Sequence, residues 1–229
     1  MGQRGGPNIP VDGVRLIFDP RNPIVSIGNY ISAIDNYIGT ATGAILAGSG
    51  YTVGINFASL TDKISFSDIS SLNLTASITV MGWIYPRSFG GGSSGRIYDK
   101  FKTTFPQSGF ALWIDNSIGT NAIAYGTGWV VSTTVGRLSN QVSLNTWQHF
   151  AAVHSGTTVT FYKNGSSIGS SGSIAAPTSA SGVAACIGNN SAGTNNFDGT
   201  LGAVRVYNRV LPATDILQVY NSTKSRYGL

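Results

Sequence analysis

Few side chains in this sequence can do chemistry, and their spacing restricts what they can do. All nine acids are aspartates, with no glutamate in 229 residues. Retaining glycoside hydrolysis needs two carboxyls about 5 to 5.5 Å apart, one as acid/base and one as nucleophile. No two aspartates stand at alternate positions of any strand the sequence predicts, so that pair is not expected. His149 and His154 are the only histidines. Their odd spacing on one predicted strand sends them to opposite faces, so they cannot share a metal. Neither has a carboxylate beside it in sequence, which favours a structural role over general-base work. Serines are plentiful, but nothing local supports a Ser–His–Asp triad. Cys186 is the only cysteine, so no intrachain disulfide can form, and it reads as a small buried hydrophobe. The chain is expected not to be an enzyme.

Strands must position these groups. Residues 145–165 read as two β-branched and aromatic runs around a small polar turn, the second ending in Asn164-Gly165. Both residues of a type I′ turn need positive φ, which Asn-Gly supplies at least cost. Residues 166–170 can then pair back on 159–163. Val159 and Phe161 point one way, Thr160 and Tyr162 the other. Further strands are predicted at 14–18, 64–66, 78–85, 96–100, 109–115, 122–125, 129–135, 184–188 and 200–207, with short strands and loops over 24–56. The run 78–85 is nearly all apolar, so both faces should be covered. Residues 89–95 read as a mobile Gly-Ser connector, lacking the Lys-Ser/Thr ending of a phosphate loop. Residues 170–182 read as a surface loop. Pro212 starts one short helix with Ile216, Leu217 and Tyr220 on its apolar side. Residues 1–12, broken by Gly5, Gly6, Pro7 and Pro10, are expected to be an extended arm on a single domain spanning 13–229.

Composition narrows the partners. Charged residues are 10% and hydrophobic residues 41%, which argues for an ordered chain with a real core. The net charge is +5, but the 14 Lys and Arg residues are spread along the chain. The densest group, Arg96, Lys100 and Lys102, encloses Asp99. A nucleic-acid footprint concentrates its charge, so no nucleic-acid partner is expected. No run approaches a membrane span, and the first ten residues lack the apolar core of a secretory signal. The expectation is a protein that stays in the cytoplasm that makes it, or leaves by lysis or as part of a particle.

Three segments carry a family resemblance. Trp147 opens a strand followed by His149, small apolar residues, a Gly-containing turn and an aromatic strand ending in Asn164-Gly165. Ser77-Ile78-Thr79-Val80-Met81-Gly82-Trp83-Ile84-Tyr85-Pro86 supplies an early core strand. Ile187-Gly188 and the run from Phe197-Asp198-Gly199 to Leu211 supply a closing strand pair. Together they resemble the laminin-G-like members of the concanavalin A-like lectin/glucanase superfamily, over roughly residues 57 to 221. The resemblance implies an all-β, two-sheet antiparallel jelly-roll sandwich with one short C-terminal helix. The opening Asp12-Gly13-Val14-Arg15-Leu16-Ile17-Phe18-Asp19, with its Asn-Pro turn, resembles the start of laminin-G-like proteins of tailed-phage particles.

Further expectations follow from the family. Its glucanases carry paired glutamates, which this chain cannot supply. Its members often hold calcium at the sandwich rim; here the oxygens would be those of Asn189, Asn190, Asn195, Asn196 and Asp198. One carboxylate makes at most a weak calcium site, and in Phe-Asp-Gly the family uses the aspartate to fix a turn. No other cofactor is expected. Sugar binding needs an aromatic platform and nearby amides, and the candidate glycan rim is Tyr125, Trp129, Asn189, Asn190, Asn195 and Asn196. The first functional expectation is a non-enzymatic virion structural protein of a tailed phage, decorating the capsid or associated with the tail. It would be assembled in the host cytoplasm and would meet other virion proteins or copies of itself. Its anchor would be Arg4, Pro7, Asn8, Ile9 and Pro10 of the arm. The alternative is an extracellular or cell-surface carbohydrate-binding module or adhesin that meets cell-surface glycans.

Overall fold

A computed structural model describes residues 9–20, 29–31, 37–43, 45–47, 54–128 and 134–229. The described residues form sixteen strands in two eight-stranded sheets, with antiparallel pairing throughout. Sheet A contains β1 (Val14–Phe18), β4 (Ile45–Ala47), β5 (Gly54–Phe57), β7 (Ile78–Pro86), β12 (Gln148–Ser155), β13 (Thr158–Lys163), β14 (Ser166–Ser171) and β16 (Gly199–Tyr207). Its order is β14-β13-β12-β7-β16-β5-β4, with β1 also pairing β16. Sheet B contains β2 (Asn29–Ile31), β3 (Ile38–Thr42), β6 (Lys63–Phe66), β8 (Arg96–Lys102), β9 (Ser108–Asp115), β10 (Ala122–Gly126), β11 (Val135–Leu138) and β15 (Ala185–Ile187). Its order is β11-β10-β9-β8-β15-β6-β3-β2.

Alternation along the strands builds the core. From β7, Ile78, Val80 and Ile84 enter the main cluster between the sheets, where they meet Phe110, Leu112 and Ile114 of β9. The other face of β7 is also buried, as its composition predicts. Met81 joins Ala151, Tyr162 and Tyr207 under Ile216 and Val219 of the helix α1 (Ala213–Thr223). Pro212 caps that helix rather than occupying its first turn, and a short 3-10 turn, Lys224–Tyr227, follows. The Trp83 indole donates to Thr223 Oγ1 at 2.9 Å and stacks on Tyr227 with ring centres 4.1 Å apart. The expected hairpins hold. Asn164 and Gly165 have φ of +51° and +81°, and Lys163 faces Ser166 across the turn.

Three local expectations are corrected. The strand expected over 129–135 runs Val135–Leu138 instead; residues 129–133 lie outside the described residues. Residues 89–95 are a packed loop. Gly91 N donates to Asn196 O at 3.0 Å and Gly95 N to Phe89 O at 2.8 Å. Gly90 has φ +70°, and a Cβ there would sit 1.9 Å from Asn196 O. Glycine serves close approach here, where composition alone suggests flexibility. The loop 170–182 is only partly superficial. Ile174 is buried in the main cluster, Gly109 N donates to Thr178 O at 2.8 Å, and Thr127 Oγ1 donates to Ala175 O at 2.8 Å.

Two glycine substitutions separate strain from collision. Gly156 has φ +59° with nothing near its absent Cβ, so Gly156→Ala should cost about 1 kcal/mol in urea unfolding. Gly90→Ala adds a backbone collision and should cost at least about 3 kcal/mol. Equal losses would refute the packed-loop reading.

Candidate functional site

Two structural ends and one sheet face hold the candidate groups. At the first end, loops 58–62, 86–95 and 189–198 meet. Asn189 donates from Nδ2 to Leu60 O at 2.7 Å and Asp62 O at 3.1 Å, while its Oδ1 accepts from the amides of Asn190 and Asn195, both at 2.9 Å. Asn190 donates to Thr194 Oγ1 and Asn195 Oδ1, both at 2.9 Å, and its Oδ1 accepts from Thr194 N at 2.9 Å. Asn195 donates to Gly91 O at 3.3 Å. Asn189, Asn190 and Asn196 are buried. These side chains fasten the loops to one another, so Asn189, Asn190 and Asn196 present little surface to a ligand, while Asn195 is half-buried.

The same network does not fit calcium. Asp198 Oδ1 accepts from Arg87 Nη2 at 2.8 Å, and its Oδ2 accepts from Ser88 Oγ at 2.7 Å. Arg87 continues to Asn56 Oδ1 and Phe57 O. The Asp198 carboxylate is thus neutralised by a guanidinium, and the second carboxylate at this end, Asp62, accepts from the amides of Ala58 and Ser59. Of the amide oxygens, only Asn196 Oδ1 lacks a donor, far short of the six to eight oxygens calcium takes. Asp198 fixes a turn, as the family resemblance implies.

Tyr125 is also corrected as a platform. It is fully buried between the sheets, and its hydroxyl lies 3.2 Å from His154 Nδ1. His154 Nε2 lies 3.1 Å from Gly156 O. Trp129, Arg4, Pro7 and Asn8 lie outside the described residues. Ile9 packs partly buried against the cluster under α1. Pro10 O accepts from Tyr207 Oη at 3.1 Å, and Asp12 O accepts from Arg209 Nε at 2.9 Å.

The sequence reading missed a polar cluster on the outer face of sheet B. Ala111, Trp113 and Asp115 of β9 point outward, beside Ala122, Ala124 and Gly126 of β10. Arg96 and Asp99 share this face although their spacing is odd, because β8 is irregular between Arg96 and Tyr98. Arg96 Nε donates to Asp99 Oδ2 at 3.0 Å, and its guanidinium lies 4.6 Å from the Trp113 ring centre. Arg137 donates to Asp115 and lies 5.7 Å from the same ring. Trp113, Arg96 and Asp99 are each 1% exposed. Burial pushes Asp99 up to about 6 against the pull of Arg96. Burial also raises Asp115, but hydrogen bonds from Ser117 and Arg137 outweigh it and hold the group below its ordinary value. Asp99 faces Ala111, four residues from Asp115 along β9, so the two backbones are roughly 13 Å apart. The cluster is a rigid, charge-balanced layer. Its signal was the alternation of large apolar with small or polar residues in 111–115 and 122–126.

The second end carries an accessible aromatic. Phe105, on the loop between β8 and β9, is 94% exposed. Thr103 and Thr104 beside it are exposed, and Thr178 Oγ1 donates to Gln107 O at 3.4 Å.

The described residues form a two-sheet antiparallel sandwich of jelly-roll type, and family comparison agrees. Residues 58–217 match the laminin G-type model of the concanavalin A-like lectin/glucanases superfamily. The chain belongs to that superfamily. No curated protein matches it. Among solved structures, it is similar to the binding domain of Paraclostridial Mosquitocidal Protein 1, at 14% identity and TM-score 0.67, covering 92% of this chain and 52% of that one. It is similar to the botulinum neurotoxin serotype D ligand binding domain in complex with N-acetylneuraminic acid, at 16% identity and TM-score 0.64, covering 92% and 51%. It is also similar to the binding domain of botulinum neurotoxin DC in complex with rat synaptotagmin II, at 13% identity and TM-score 0.67, covering 92% and 52%. The chain spans about half the length of these structures, and the likeness is one of fold.

The two histidines do take opposite faces. His149 is fully buried under α1, with its ring 5.2 Å from Trp83 and 6.2 Å from Tyr220. Burial, then the nearby Arg205 charge, pushes it down to about 3. The folded state therefore prefers the neutral ring. Its contribution is fully present above the unfolded value near 6.5 and is lost as pH falls toward 3. Between pH 6.5 and 4 that loss is about 3 kcal/mol. His149→Phe should lose less stability than the parent over this range in urea unfolding; identical pH profiles would refute the assignment.

Proposed function

We propose that this chain is a non-enzymatic recognition domain that binds glycans, with the Phe105 loop as its contact. The observation that carries the reading is the 94% exposure of that phenyl ring. Burying a phenylalanine typically gains about 1.5–3 kcal/mol, and here the gain is left unclaimed at a loop tip. An open ring can stack on the apolar face of a sugar, while Thr103, Thr104, Gln107 and Thr178 offer hydrogen bonds around it. The buried Tyr125 cannot take that part. The pairing of Asp99 with Arg96 and of Asp115 with Arg137 supports binding without hydrolysis. Similarly folded toxin domains in complex with N-acetylneuraminic acid and with synaptotagmin II support recognition by this fold.

A second reading, a structural protein of a tailed-phage virion, has its own support. The last residue of the proposed anchor Arg4, Pro7, Asn8, Ile9 and Pro10 is tied to Tyr207 of β16, and Asp12 just after it to Arg209 beyond that strand. A pull on the first residues would therefore pass to a central strand. Removing residues 2–8 should abolish co-sedimentation with particles under this reading, and should leave glycan binding intact under the glycan reading.

On a glycan array followed by titration calorimetry, the parent protein should give hits that Phe105→Ala weakens at least tenfold, with unchanged melting. Truncating a well-used aromatic contact costs about 1–3 kcal/mol in related stacking sites. No glycan bound by folded parent protein, or equal affinity in the variant, would sink the proposal.

A further inference from the structure

On the outer face of sheet A, the cover formed by α1 and the C-terminal turn reaches Tyr227. That ring stacks on Trp83, and a Cβ on Gly202 of β16 would collide with its hydroxyl. Beside it runs a row of half-buried side chains. Tyr85 is the next outward residue of β7 after Trp83. It faces Thr200 of β16, which faces Asn56 of β5. Directly opposed residues of neighbouring strands share a face. On the other side of Tyr85 stands Trp147, the residue before β12. Its ring centre lies 5.6 Å from that of Tyr85, with the planes at 57°, and 4.7 Å from that of Tyr227. Its loop is pinned to the end of β7, where Asn145 N donates to Pro86 O at 2.7 Å. Tyr85, Trp147, Thr200 and Asn56 are all half-buried.

The polar atoms of this row are uncommitted. Among the described residues, the Tyr85 hydroxyl, the Trp147 indole N–H and the Thr200 hydroxyl make no hydrogen bond, and each reaches the surface. Asn56 accepts from Arg87 through Oδ1, which leaves its Nδ2 as a donor. Nearby Trp83, Tyr207 and Tyr227 have spent theirs on Thr223 Oγ1, Pro10 O and Ala203 N. Arg87 and Asp198, at the edge of the row, pair with each other at 2.8 Å. The row therefore presents no net charge.

We infer that this row is a second binding site, separate from the Phe105 loop, for a neutral disaccharide. The two tilted rings form an open corner on which the C–H face of a hexose stacks. The free hydroxyls, indole N–H and amide beside it match sugar hydroxyls, which both donate and accept. An acidic sugar is disfavoured, because its carboxylate would lose water without gaining a counter-charge. Four strand positions about 4.8 Å apart make the row roughly 14 Å long, room for two sugar rings rather than one. The row lies at the end of β7 where loops 86–95 and 189–198 meet, and the Phe105 loop lies at the other end of the sandwich. Neither site depends on the other.

Lactose, cellobiose and maltose are the probes. The indole N–H signal of Trp147 in the full chain, assigned with Trp147→Phe, is followed by nuclear magnetic resonance during titration. At least one of the three sugars should move it saturably. Tyr85→Ala should weaken that binding by about tenfold or more, and Phe105→Ala should leave it unchanged. Thr200→Val keeps the side-chain volume and removes only the hydroxyl, so it decides if Tyr85→Ala fails to fold; it should weaken binding by about threefold or more. A Trp147 signal unmoved by all three sugars, or equal affinity in the parent and a folded variant of Tyr85 or Thr200, would overturn the inference. Binding lost in Phe105→Ala and kept in Tyr85→Ala would overturn it too, while supporting the Phe105 contact. Loss in Tyr85→Ala alone supports this site even where the Phe105 contact fails.

Discussion

The arrangement on which the molecule depends is the burial of both faces of the central strands β7 and β16. One face of each enters the core between the sheets, through Ile78, Val80, Ile84, Val204 and Val206. The other lies under α1 and the C-terminal turn, through Met81, Trp83, Ala203 and Tyr207. Backbone pairing along both strands is thus shielded from water, and the sheet cannot slip without moving both layers. Trp83 joins them, since it sits on a central strand and hydrogen-bonds Thr223 of the helix.

A centre built this way leaves little room for reactive chemistry there. Several of the polar groups that do enter are committed. His154 is held by Tyr125 and Gly156 O, Lys100 by Asp68 and Val183 O, and Arg96 by Asp99. Under the proposed reading, recognition is left to the ends of the sandwich. One end is spent on holding its own loops together, through the Asn189–Asn190–Asn195 network and the Arg87–Asp198 pair. The other carries Phe105 into solvent. The uneven use of the two ends is what points the functional reading to the loop between β8 and β9.

Much of the fold was legible in the residues, for local reasons. Asn164-Gly165 fixes a two-residue turn because few other pairs accept positive φ twice. The apolar run in β7 announced two covered faces, and the odd spacing of the histidines announced opposite ones. The site was less legible. Asn189, Asn190 and Asn196 look like rim ligands in sequence, since an amide that binds a neighbouring loop and one that binds a sugar have the same composition. Arg96 and Asp99 share a face only because β8 is irregular between them, and a bulge leaves no fixed residue signature.

The sequence by itself determined the fold class, the absence of paired glutamates and the hairpin registers. Each of these depends on residue identity or on a period of two along the chain. Only the tertiary structure decided which polar groups are free to act. Tyr125, Asn189, Asn190 and Asn196 turn inward, and Phe105 turns outward. Exposure and partnership are properties of what other segments bring alongside, and for these residues the deciding neighbours are distant in sequence.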